Sequence, residues 1–88
     1  GPNIPQIVVQ KVLRQFFELG KESLDRYQKQ DRVCATLTVS TSKSGYDKII
    51  SKIREYRKEI QNIVDTDKNT LDRVYHMNIQ FFPVTKFF

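Results

Sequence analysis

VCATLTVS, residues 33–40, alternates without a break, with Val33, Ala35, Leu37 and Val39 on one side and Cys34, Thr36, Thr38 and Ser40 on the other. Period two with many β-branched residues is the pattern of a half-buried strand, so this stretch decides the fold class. Further along, Tyr75, Met77, Ile79 and Phe81 alternate with His76, Asn78 and Gln80 and run up to Pro83, which predicts a second strand ending there.

Between and before these runs the period changes to that of a helix. Val8, Val9, Val12, Leu13, Phe16, Phe17, Leu24 and Tyr27 recur at helical spacing from Pro5 to about Lys29, with Asn3 as the expected cap and Pro5 in the first turn. Gly20 costs about 1 kcal/mol relative to alanine inside such a helix and points to close packing against another backbone. In STSKSGYD, residues 40–47, turn formers interrupt the strand pattern, and Ser44 with Asp47 approximates a capping box for a second helix. From Tyr46 to Val64 the residues Tyr46, Ile49, Ile53, Tyr56, Ile60 and Ile63 keep a three-four spacing, with Ile50, Arg57 and Val64 on its flank. Fewer than three heptads favours a helix laid on a sheet over an intermolecular coiled coil. DTDKNT, residues 65–70, reads as a polar turn.

Helix, strand, helix, strand predicts an α+β domain of two layers, in which Val33–Ser40 and Val74–Phe82 form a small sheet with both helices on one face. Two strands alone make an unstable sheet with open edges, and a homodimer joining them into four strands would remove both problems. The triplet DRV precedes each alternating run, at residues 31–33 and 72–74. Its core-facing parity differs between the copies, which argues against a duplicated functional unit. What the copies share is an Asp-Arg pair able to hydrogen-bond loop backbone or form an ion pair.

A chain of 88 residues is one domain that buries only about 60 to 65% of its unfolded surface, so its core must be efficient or completed by a partner. Gly1 and Pro2 read as the scar of a cleaved tag on a piece of a longer protein. Cys34 is the only cysteine, so no internal disulfide can form and a reducing, cytoplasmic setting is expected. No apolar run approaches the ~20 residues of a membrane helix. The net charge of +5 permits an anionic partner, although 10 acidic residues are interspersed with 15 basic ones.

Catalysis finds no support. His76 is the only histidine and has no cysteine or second histidine at metal-ligand spacing, and neither a nucleophile turn nor a glycine-rich phosphate loop is present. No catalytic residue, metal or cofactor is expected. On the polar side of the second helix, Lys48, Lys52, Arg54 and Lys58 stand against Asp47, Glu55 and Glu59. A solvated face with intrahelical pairs is preferred there, and a nucleic-acid-binding face is the alternative. Tyr75, Phe81, Phe82, Phe87 and Phe88 lack the glycines of a base-stacking motif and are read as core or interface. Arg57, Tyr75, Asn78 and Gln80 would suit a small anionic ligand, an arginine among amides.

At LGKESLDRY (19–27), DRVCATLTVSTSKSGYDKIISKIREYRKEI (31–60) and DRVYHMNIQFFPVTK (72–86) the chain closely resembles the C-terminal domain of a bacterial family, domain of unknown function 4423, whose full-length members are regarded as transcriptional regulators. Arg57, Asp72, Arg73, Tyr75, Asn78, Gln80 and Pro83 match the family pattern, as do Leu37 and Thr38; Val33, Cys34 and Leu13 depart from it. The resemblance implies that residues 3–88 are a single C-terminal regulatory or dimerisation domain, non-catalytic, working as a homodimer or signal sensor in the cytoplasm. DNA reading would then fall to a helix-turn-helix-like part upstream of it. On this reading the DRV copies are two separate landmarks, and Arg57, Arg73, Tyr75, Asn78, Gln80, Phe81 and Phe82 are the interface or ligand candidates.

Overall fold

The computed structural model describes residues 3–87; Gly1 and Pro2, read above as a tag scar, and Phe88 lie outside the described residues. The chain divides into two units, one made of Gly1–Ala35 with Val74–Phe88 and one of Thr36–Arg73.

The first unit is built on α1, Gln6–Arg26. The cap is Pro5, whose extended backbone hands its carbonyl to the amides of Val8 and Val9, at 3.0 and 3.3 Å. The cap expected at Asn3 is not used. Proline suits this end because its fixed φ is compatible with helix entry and its missing N–H would have no partner there anyway. At the other end Tyr27 turns extended, and its amide still reaches the Ser23 carbonyl at 3.2 Å. A single 3₁₀ turn, Lys29–Asp31, then brings Arg32 back towards the helix end. The Arg32 guanidinium donates through Nε to the Tyr27 carbonyl at 3.2 Å and through Nη2 to the Leu24 carbonyl at 3.4 Å. These are last-turn carbonyls that no helical amide can satisfy, and a cation there also complements the helix dipole. The first DRV is therefore a helix stop and not the mouth of a strand: its arginine bonds backbone at the end of α1.

The second unit is built on α2, Lys43–Thr66, 24 residues. Ser42 caps it, its Oγ accepting from the Gly45 amide at 3.1 Å. This replaces the capping box expected at Ser44 and Asp47, and Asp47 instead receives Lys43 Nζ at 2.9 Å, one turn along the helix. A side chain at position 45 would run into Thr41 Oγ1, so glycine lets Thr41 keep its place beside the cap. The helix ends where Thr66 Oγ1 donates back to the Asn62 carbonyl at 2.8 Å and Asp67 takes up extended backbone. Asp67 Oδ1 then accepts from both the backbone and the side-chain nitrogen of Asn69, each at 2.9 Å, an Asx turn. The polar turn predicted at residues 65–70 is thus present at its centre.

Neither predicted strand forms. The described residues contain two α-helices and one 3₁₀ turn, with no strand or sheet, so the domain is all-α and the α+β, sheet-completed-by-dimer expectation is overturned. The reason lies in where the chain divides. The boundary between units falls after Ala35, inside VCATLTVS, and the second alternating run begins the return of the chain to the first unit. A ladder needs a neighbour about 4.8 Å away along its whole length, and neither run has one. Alternation records that two faces differ, whatever lies beside them. Val33 and Val74 are accordingly almost fully exposed, at 97% and 100%.

Among the described residues no side chain is buried. The chain exposes 9112 Å², where a folded monomer of this mass exposes about 5,400 Å².

Candidate functional site

In the first unit the region 76–78 is held against α1 by one polar lock. Asn78 Nδ2 donates to the Phe16 carbonyl at 2.8 Å, while Asn78 Oδ1 lies 2.9 Å from His76 Nε2. The His76 ring stacks on Phe16 with centroids 3.8 Å apart and planes 6° from parallel. The Phe16 carbonyl is inside the helix, and it is open to a second donor because the residue one turn on is Gly20. A Cβ there would stand 3.1 Å from Asn78 Nδ2. Gly20 thus marks close packing, as its cost in a helix implied, but against a side-chain amide and not a backbone. Phe16, Gly20 and Asn78 are half-buried at this lock, and Phe17 and Phe81 of the same unit are half-buried too. Cys34 Sγ lies 3.6 Å from Ser23 Oγ and is exposed.

The ligand and interface candidates are distributed accordingly. Tyr75, Asn78, Gln80, Phe81 and Phe82 belong to the first unit, Arg57 and Arg73 to the second. Asn78 has both ends of its amide engaged, Phe81 is half-buried, and Tyr75, Gln80 and Phe82 are exposed. Arg73 is exposed and makes no hydrogen bond or ion pair with the described residues, unlike Arg32 in the other DRV. The role of Asn78 as a lock was missed in the sequence, although Gly20 on a helix was the signal that something approached it.

On α2 the cations do not form one ridge. Lys48 and Lys52 occupy one row, Arg54 and Lys58 another, and Glu55 and Glu59 run between them. Lys52 Nζ is 3.3 Å from Glu55 Oε2 and lies 5.5 Å from the centre of the Tyr56 ring. Its pKa is held above the ordinary 10.5, first by the hydrogen bond to Glu55 and then by that carboxylate's charge. Lys43 is raised in the same way by Asp47. The face is laced with intrahelical pairs.

The apolar side of α2 is covered unevenly. Ile49, Ile50 and Ile53 are half-buried, whereas Tyr56, Ile60, Ile63 and Val64 are exposed, Ile63 at 67%. Arg57 borders this open stretch. No helix is long and apolar enough to cross a membrane, and no three His, Cys, Asp or Glu side chains cluster as a metal site among the described residues.

A model of a protein family, described as a domain of unknown function (DUF4423), matches residues 2–84. No curated protein and no solved structure matches the chain.

Proposed function

The chain belongs to the domain of unknown function 4423 family, and from that premise we propose that it is a non-catalytic self-association domain of a cytoplasmic bacterial transcriptional regulator. The observation that carries this reading is the open apolar row Tyr56, Ile60, Ile63 and Val64 on a helix, in a chain whose described residues include no buried side chain. Exposed contiguous apolar surface of that kind marks an interaction site, and oligomers of soluble proteins are most often copies of one chain. The likeness of the three long motifs to a regulator family supplies the context. A self-associating domain would bring two DNA-reading parts together and raise their affinity through effective concentration.

Sedimentation equilibrium of the 88-residue chain from low to high micromolar concentration tests this. A dimer is expected, and Ile60→Asp, which places a charge in the open row, should leave a helical monomer. A wild-type chain that stays monomeric throughout removes the proposal. Direct DNA contact through Lys48, Lys52, Arg54 and Lys58 is the weaker reading, because Glu55 and Glu59 divide these cations. If it held, the chain alone would bind duplex DNA with an affinity falling steeply with salt.

A further inference from the structure

We infer that the occupant of the open face of α2 is α2 of a second copy, laid antiparallel in a register set by Lys52 and Glu59. This rests on the self-association proposed above and adds its orientation and alignment.

The apolar positions Tyr46, Ile49, Ile53, Tyr56, Ile60 and Ile63 fall at the two core positions of a heptad repeat. Without a sheet under it, the helix-on-sheet role that competed with helix pairing for this pattern is no longer available. Beside the seam, Lys52 and Glu59 take one flanking position, and Ile50, Arg57 and Val64 take the other. What meets across the seam then depends on direction and register, and the charges separate the cases.

In a parallel pair the two flanks face each other, which sets Lys52 against Arg57 of the second copy, like against like. In an antiparallel pair each flank meets itself. Three antiparallel alignments keep the seam apolar over at least two layers. Sliding towards the N-terminus sets Lys52 against Lys52 of the second copy. Sliding towards the C-terminus sets Glu59 against Glu59 and Arg57 against Arg57. The central alignment alone pairs opposites: Lys52 meets Glu59 of the second copy, twice by symmetry. It also stacks Tyr46 on Ile63, Ile49 on Ile60 and Ile53 on Tyr56, and lays the aliphatic stem of Arg57 over Ile50. Like-charge contacts are an established means of rejecting wrong registers. Both groups can be reached from outside: Glu59 forms no ion pair among the described residues, and Lys52, though it pairs with Glu55 and lies over the Tyr56 ring, keeps 60% of its side chain exposed. The alignment also covers the exposed Ile63 of each copy with Tyr46 of the other.

The test uses the full chain with charge reversals and placed cysteines. Glu59→Lys should weaken the dimer about tenfold by setting lysines against lysines, as should Lys52→Glu by setting carboxylates together. The double variant K52E/E59K should return to within about threefold of wild type. Helix stability is kept in the double variant because the new lysine stands four residues after Glu55. In a Cys34→Ser background, Ile49→Cys and Ile60→Cys should cross-link with each other when mixed and oxidised, and neither should cross-link with itself. Self-cross-linking of either cysteine variant, or charge reversals without effect on a dimer that does form, would overturn the antiparallel register while leaving self-association standing. A wild-type monomer at every concentration would overturn both.

Discussion

The two helices of this protein carry similar apolar stripes, yet their surroundings differ. On α1 a distant part of the chain returns and is fastened by Asn78, whose amide finds a helix carbonyl opened by Gly20. On α2 Ile49, Ile50 and Ile53 are half-buried, while the stripe opens towards the C-terminus, where Ile63 and Val64 are 67% and 60% exposed. The difference teaches that an apolar stripe specifies that something will cover it, while a polar lock specifies what. Hydrophobic burial has no direction of its own; the Asn78 hydrogen bond does.

The comparison can be broken most severely at Gly20. Gly20→Leu puts a side chain where the Asn78 amide sits, and thermal unfolding by circular dichroism should show a loss of about 2 kcal/mol from the lost hydrogen bond and displaced contacts. Gly20→Ala sharpens the point, since about 1 kcal/mol of helix propensity offsets a similar loss at Asn78, and its melting temperature should stay near wild type.

Ser42→Ala acts on the other helix. It removes the side-chain N-cap of α2 and should cost about 1 kcal/mol, read as reduced helicity and an earlier melt. Arg32→Ala removes the guanidinium from the last carbonyls of α1 and should cost about 0.5 to 1 kcal/mol, less than the Asn78 lock because both groups can turn to water instead.

The smallest effect is that of pH on α2. Lys52 has its pKa raised by Glu55, so whatever the pair contributes is present below the ordinary lysine value of 10.5 and is lost as pH rises through the higher folded value. Helicity should therefore fall slightly in alkali beyond 10.5. Glu55→Gln, which has no such pair to lose, should show a smaller fall over the same interval.

Both helices were legible because their information is local. The helical recurrence of Val8, Val12 and Phe16, and the three-four spacing of Ile49, Ile53, Tyr56 and Ile60, belong to the chain itself, and the observed ends fall within a few residues of the expected ones. The caps were placed less well. Asn3 and Ser44 are good capping residues by type, but the caps used are Pro5 and Ser42, and several polar residues near a helix start are nearly equivalent until the flanking chain is in position. The candidate residues were legible as polar or aromatic groups in the right segments. That Asn78 is a lock for α1, and that Arg57 belongs to a different unit from Tyr75 and Gln80, could not be read from type or spacing.

The family was legible in three long motifs, and their match over residues 2–84 bears it out. The strands were the error, and its cause is instructive. VCATLTVS and YHMNIQFF have the right composition and the right period, but a strand is completed by hydrogen bonds to another stretch of backbone, and period carries no information about whether one is there. A helix closes its hydrogen bonds within itself, so helical periodicity and end residues were sufficient to place α1 and α2. Which distant segments meet is decided by long-range contacts alone, and here those contacts set Asn78 and His76 on a helix where alternation had pointed to a neighbouring strand.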